Sequence, residues 1–478
     1  MTARCTAAFF ALLLIAAHAR ADKIILKNGR KIVAFNVVED GDKIRYETSA
    51  GQLSIPKSIV DHIEKDGLLP MMESPAAAAA NLIHPPPAME TTADAMEIDK
   101  AAVHDGAIDR EYIARLKSEA RGANPLANER AALAYHAAAQ FELSKGDLQH
   151  ALDDELSALI FSPHQPALLM DVAYLYLKRS EFKQSLEYLD RARRVAPDNP
   201  EVYKLAGWAH YGMNHIDQAV QQWEKSLQLH PDADVQAALD KAQRDKAEEQ
   251  SYKENESAHF QLKYNGAAEP ALAREVLHVL EEHFRQIESE LNYTPPESIG
   301  VILYTQQAFE DITRAPNWVG AYNDGRIRVP VQGLTSVNSE LSRVLRHELT
   351  HSFIQQKTHS RAPTWLQEGV AQWMEGRRSE ETAPVLVQVY DAGQAAPLDK
   401  LEGTWMGLPA GVAHYAYAWA LANVEYIIQT QGIEDLNRIL DRIAAGSSTE
   451  QAVKDVLRDD YPELMKETAT YLKKNYIR

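Results

Sequence analysis

At 478 residues the chain is too long for one ordinary hydrophobic core, so two or three domains are expected. Apolar residues at 45% and charged residues at 25% exclude a disordered or fibrous chain. A formal net charge of -18 argues against nucleic acid and anionic membrane surfaces as partners.

Residues 1–21 read as a secretory signal: Arg4, an apolar run from Ala7 to Ala17, then Ala19-Arg20-Ala21 before a cleavage point at Asp22. The run is short for a membrane span, and no later stretch is long enough to cross a bilayer. The only cysteine, Cys5, falls inside the signal, so the mature chain has neither disulfide nor thiolate ligand. Loss of Arg4 and Arg20 with no acidic residue moves the formal charge from -18 to -20. The expectation is an exported bacterial protein, periplasmic or extracellular.

From residue 22 to 66, apolar and polar residues alternate in Lys23–Lys27, Lys31–Phe35, Lys43–Glu47 and Gln52–Ile55, separated by Asn28-Gly29, Asp40-Gly41 and Ala50-Gly51. Period-two runs between turn dipeptides predict a small all-β SH3-like module. Residues 67–107, with Ala76 to Ala80 and Pro85-Pro86-Pro87, read as a flexible linker.

A repeat follows over 108–257, in units of about 132–165, 166–199 and 200–233. Pro163, Pro197 and Pro231 recur every 34 residues. Ala139, Ala173 and Gly207 keep one small position, Ala158, Ala192 and Ser226 another, and Tyr135, Leu169 and Tyr203 a large one. This pattern resembles tetratricopeptide (TPR) repeats, with Glu155 standing in the first unit where a bulky apolar residue is usual. The resemblance implies an all-α solenoid with a surface for a protein or peptide partner. A charged helix from Gln236 to Glu256 is expected to cap it.

Residues 258–478 open with a predicted strand at His259–Tyr264, a helix at Ala271–Leu291, a buried strand at Ile299–Tyr304 and a helix near Gln306 to Ile312. A hairpin or edge strand is predicted over Gly320–Val331, with Asn323-Asp324-Gly325 at its turn. Next comes His347-Glu348-Leu349-Thr350-His351. Histidines four apart on a helix share one face, so both imidazoles reach a single cation, and the intervening glutamate stands beside it as a general base acting on water. Leu341, Val344, Leu345, Leu349 and Phe353 supply the buried face, and Asn338 or Ser339 the cap. A third ligand is required. Glu368, at the start of a predicted helix from Pro363 to Met374, fits, with Glu375 two turns on as its competitor.

The run from Val344 to Trp373, with Arg346–His351 and Trp365-Leu366-Gln367-Glu368-Gly369-Val370-Ala371, resembles the bacterial peptidase MA-like family of gluzincin metallopeptidases. The resemblance extends more weakly over 258–478. It implies Zn2+ held by His347, His351 and Glu368, with Glu348 as the base, in an α+β zincin-like domain with a helical C-terminal lobe. It also implies that the hairpin strand lies beside the metal helix and holds an extended peptide along its edge. Gln372 occupies a place where some members carry an acidic residue supporting a ligand. The resemblance further places a tyrosine at Tyr415, where a phenol can donate to an oxyanion; Tyr417 and His414 are the neighbouring candidates, and core packing is the competing role.

Helices are expected near Gly411–Gln429, Ile433–Ala444, Glu450–Leu457 and Pro462–Lys473, after a polar stretch that follows Glu375. His278, His283 and His359 read as surface residues. The function expected is peptide-bond hydrolysis by an exported zinc metallopeptidase acting on a peptide or protein substrate. The alternative is a catalytically inactive TPR scaffold of the cell envelope.

Overall fold

A computed structural model describes residues 20–27, 31–41, 43–48, 51–68, 83–87, 92–120, 124–265, 270–305, 308–309, 321–323, 325–331, 334–403, 405 and 410–477. The apolar run of the expected signal and most of the helix expected near Gln306 to Ile312 lie outside them. Among the described residues no helix is long and apolar enough to cross a membrane.

Five strands, β1 (Arg20–Leu26), β2 (Lys31–Asp40), β3 (Lys43–Thr48), β4 (Gly51–Pro56) and β5 (Val60–Leu68), form one sheet in the order β4-β3-β2-β1-β5. Ile24 lies opposite Ile32 on one side and Ile63 on the other, because antiparallel register brings every second side chain to the same face. Ile24, Ile44 and Tyr46 are its buried core, with Val37, Ile55, Val60 and Ile63 packed around them. Strand β4 approaches the helix that carries the His-Glu-His motif.

Part of the expected linker is regular structure. Its last third forms helix α1 (Ala93–Ala102) and a tight hairpin, β6 (Val103–His104) with β7 (Ala107–Ile108). Upstream, Pro86 is buried. Ile98 and Ala102 of α1 join Ile113 and Leu116 of α2 (Arg110–Glu119) against Ala131, Ala134 and Ala137 of α3 (Pro125–Ser144). Composition reads that stretch as flexible; the alanine face of α3, which has no bulk to exclude a neighbour, supplies a surface on which it orders.

The repeat forms helix pairs at the expected period. These are α3 with α4 (Leu148–Phe161), α5 (Pro166–Lys178) with α6 (Phe182–Val195), and α7 (Pro200–Gly212) with α8 (Ile216–Leu229). The small position is demanding in the third pair. A Cβ on Gly207 would lie 2.2 Å from the Trp223 ring, whose Nε1–H donates to the Lys204 carbonyl at 3.2 Å. Helix α9 (Ala233–Glu249) caps the array. The charged helix expected to reach Glu256 stops at Glu249, because Lys253–Glu256 pairs as edge strand β8 with β9 (Phe260–Tyr264).

The second sheet runs β11-β12-β10-β9-β8, with β10 (Ile299–Tyr304), β11 (Tyr322–Asn323) and β12 (Arg326–Pro330). Strand β10 is parallel to both neighbours, and β11 forms the expected hairpin with β12. Helix α10 (Pro270–Leu291) and the motif helix α11 (Ser339–Lys357) share one core with the sheet. The helical remainder is α12 (Thr364–Met374), α13 (Ala383–Asp391), α14 (Ala410–Gln431), α15 (Ile433–Ala444), α16 (Thr449–Leu457) and α17 (Tyr461–Tyr476). Helix α13 occupies the stretch expected to be merely polar; its buried Leu386 and Val387 join the same core.

The array and this domain are clasped together. The three intra-pair turns contain Gly146, Ser180 and Asn214, 34 residues apart, each at positive φ. Arg361, in the loop between α11 and α12, donates to the Gly146 carbonyl and also to those of Ile443 and Gly446. His359 Nδ1 lies 3.2 Å from the Arg179 carbonyl, and Asn214 Nδ2 donates to Gln261 Oε1 at 3.3 Å. His359 is thus an interdomain residue, and His283 is partly buried with Nε2 3.0 Å from Ser342 Oγ; only His278 of that group matches the surface expectation.

Deeper in the seam, Arg328 binds both Asp245 oxygens at 3.0 and 2.8 Å and the Tyr304 hydroxyl at 2.7 Å. Arg326 reaches Glu249 at 2.6 Å and Asp245 at 3.3 Å. This network joins the capping helix α9 to strand β12.

Candidate metal centre

Helix α11 begins where the Asn338 side chain accepts the Leu341 N–H at 2.7 Å, satisfying a donor the first turn leaves open. From there His347, Glu348 and His351 are carried into the interior, all at most 2% exposed. Helix α12 brings Glu368 against them. It does so because Gly369 lets α12 approach α14 closely: a Cβ there would lie 2.3 Å from the Ala420 carbonyl oxygen.

The Nε2 atoms of His347 and His351 are 3.0 Å apart. Glu368 oxygens lie 3.4 Å from His347 Nε2 and 3.6 Å from His351 Nε2. A tetrahedral zinc site with arms of about 2.0–2.1 Å has ligand atoms roughly 3.3 Å apart. The three donors therefore enclose a space of the right size, and two imidazoles with one carboxylate are a fitting donor set for zinc. Glu375, the competing third ligand, lies nearest the Nδ1 side of the His347 ring rather than the Nε2 side where these donors meet.

Glu375 backs the His347 ring instead. Its Oε2 is 3.6 Å from His347 Nδ1, the ring nitrogen turned away from the other donors, and its Oε1 is held by Arg377 Nε at 2.6 Å. The carboxylate stands behind the ring at ion-pair distance, without a hydrogen bond, and its charge favours a positive imidazole. The sequence signal was present: Glu375 lies seven residues, two helical turns, after Glu368 and so on the same side of the chain. Gln372 donates to the carbonyls of Glu368 and Tyr417, both at 3.1 Å, and so ties α12 to α14. Asn323 of β11, also unforeseen, donates 2.8 Å hydrogen bonds to the Glu348 carbonyl and to Ser352 Oγ. The hairpin is thereby set beside the motif helix.

Electrostatics separate Glu368 from Glu348. Burial alone would raise the Glu368 carboxyl, but the His351 and His347 rings hold it down to about 2. Burial pushes Glu348 up to about 8, with Glu368 and Glu375 adding to the rise against the pull of His347. Burial would lower His347, yet Glu375 and Glu368 outweigh it and raise the ring to about 10. His351 is lowered, chiefly by burial. Neither carboxylate oxygen of Glu348 has a hydrogen-bond partner, nor do the Nδ1 atoms of the two histidines.

The tyrosine candidates divide. Tyr417 is buried, packs edge-on against Trp405 and accepts Gln372 at its carbonyl, a core role. His414 is exposed. Tyr415 is half-buried against Trp419, and burial pushes its hydroxyl up to about 12, so it stays protonated.

Fold and site together describe a repeat-bearing chain whose C-terminal α/β domain buries a His-His-Glu donor set beside a second carboxylate. Residues 289–474 match the family described as the Peptidase MA superfamily, and the chain joins this domain to a TPR-type helical array. The "Protein CTR9 homolog" of Arabidopsis thaliana is 32% identical over 94 residues, 20% of this chain, and the chain spans only 9% of that relative. Among solved structures, the first TPR of Spaghetti (RPAP3) bound to an HSP90 peptide is similar, at 19% identity and a TM-score of 0.25. That likeness covers 25% of this chain and 95% of the other. MamA from Desulfovibrio magneticus RS-1 is similar at 20% identity and a TM-score of 0.26, over 33% of this chain and 87% of the other.

Proposed function

We propose that the C-terminal domain is a zinc-dependent metallopeptidase that hydrolyses peptide bonds. The observation that carries this reading is the convergence of His347, His351 and Glu368 donors within 3.6 Å, with the unpartnered Glu348 carboxylate beside them. A zinc ion in that set supplies a Lewis acid that polarises the scissile carbonyl and makes water more acidic. Glu348 takes the proton from the attacking water and delivers it to the leaving amine. Glu375 and Arg377 hold the His347 ring in place. Tyr415, protonated at neutral pH, donates to the developing oxyanion. The outer edge of β11 holds an extended substrate by main-chain hydrogen bonds. The helical array contributes a surface for a peptide or protein, and the chain works outside the cytoplasm after removal of its leader.

The test is cleavage of a denatured-protein or peptide library by the zinc-loaded full chain. Cleavage should fall about 10²–10⁴-fold in Glu348→Gln with zinc retained, and Glu368→Ala should lose about one zinc per chain. Metal binding with no cleavage of any library member would leave an inactive scaffold as the better reading.

A further inference from the structure

The array contains a second donor cluster that the hydrolytic reading does not use. His136 on α3, Glu155 on α4 and Asp171 on α5 each offer one ligand atom, all within 4.8 Å of one another. His136 Nδ1 lies 2.7 Å from Glu155 Oε1 and 3.7 Å from Asp171 Oδ2, separations that bracket the roughly 3.3 Å of a tetrahedral N/O site.

The repeat shows how unusual these residues are. One period on, the place of Glu155 is taken by Leu189, and a further period on by Trp223, both at most 2% exposed. The places equivalent to Asp171 hold Ala137 and Leu205, also buried. Two core positions on facing helices have therefore become carboxylates at the junction of the first and second repeat. Burying a charge is costly unless a counter-charge or full hydrogen bonding compensates it.

Compensation is incomplete. Glu155 is 0% exposed; Gln140 donates to its Oε1 at 3.3 Å, but its Oε2 has no partner. Asp99 adds negative potential at His136, and the neighbouring Asp154 is already paired with Arg110 at 2.7 Å. One imidazole thus faces two buried carboxylates.

We propose that His136, Glu155 and Asp171 bind a divalent transition-metal ion of the zinc class, which staples the first repeat to the second. One imidazole nitrogen with two carboxylate oxygens suits zinc or manganese better than an all-oxygen cation. The side chains of His136 and Asp171 are 14% and 13% exposed, which leaves a side for water to complete the coordination. A metal bound only by the folded array raises its stability by mass action.

The experiment uses the full chain with the first site removed by His347→Ala and His351→Ala, stripped with chelator and titrated with zinc chloride. Uptake of about one zinc per chain, with a rise in Tm, is expected. No uptake overturns the proposal. A second comparison uses Glu155→Leu with Asp171→Leu in the otherwise unaltered chain, residues the array already accepts at equivalent positions. Zinc should fall from about two to about one per chain, with peptide cleavage unchanged. An unchanged zinc content in that variant would show that the cluster is an ion pair and nothing more. Glu368→Ala reports the hydrolytic site separately, so failure of one site is distinguishable from failure of the other.

Discussion

Two buried charged clusters lie on opposite sides of strands β11 and β12, and they are built on opposite principles. In the seam with α9, Arg326 and Arg328 are matched by Asp245 and Glu249, and the Tyr304 hydroxyl receives Arg328 and donates to Glu249 at 3.0 Å. At the motif helix, four polar atoms of His347, Glu348 and His351 have no hydrogen-bond partner. Protein interiors seldom leave such atoms unpaired. In the seam each charge meets an opposite one, with Arg326 Nε left without a hydrogen-bond partner, and the network holds the two parts together. The two Glu348 oxygens find no such match within the described chain. On the proposed function this contrast separates a structural cluster from a functional site, and measurement can break it.

The largest effect is expected at Glu348. Glu348→Gln removes the proposed base and should lower kcat by about 10²–10⁴-fold, read as turnover of a cleaved peptide. Glu348→Met, tested on metal-free chain, should raise stability by about 1–3 kcal/mol, because an unpartnered buried polar group disappears. Loss of stability in that variant would mean the cluster is structural after all.

The seam should respond in the opposite sense. Arg328→Ala leaves Asp245 buried without its main partner and should cost about 3–5 kcal/mol in urea denaturation. A cost below about 1 kcal/mol, the range of exposed ion pairs, would contradict the burial of this network.

Glu375→Gln probes the boundary between the two kinds of cluster. It removes the charge behind His347 without touching the three proposed ligands, and zinc affinity should weaken about 10–100-fold. Equilibrium competition with a chelator reads this directly, and an unchanged affinity would remove Glu375 from the site.

The smallest effect is a slope. Burial works to raise Asp245, but Arg328 and Arg326 hold it below its ordinary 3.8. The unfolded chain therefore takes up this proton first, and stability present above about pH 4 is lost as pH falls towards the lowered value. Acid-unfolding curves should show this limb, and Asp245→Asn should flatten it.

The TPR period, the motif helix and its cap were legible in the sequence because each is a local pattern. Prolines 34 residues apart, imidazoles four apart and an asparagine before an apolar face act within one or two helical turns. Glu368 was also within reach, since it opens the next helix. Glu375 was visible as a residue but not as a partner of His347, because that pairing depends on how α12 lies against α11. The ordered segment from Ala93 to Ile108 was hidden for a related reason: alanine-rich composition says nothing about a surface waiting on another helix. The seam was wholly hidden. Arg326 and Arg328 read as alternate residues of a hairpin strand, and Asp245 as one charge among many on a polar helix, about eighty positions away.

What the sequence by itself determined are the chemistries on offer: a donor set, a candidate base, a repeat and the positions where charges replace core residues. What only the tertiary structure decided is which charges share a space. Electrostatic energy depends on distance and burial, and the chain order carries neither until the helices have packed.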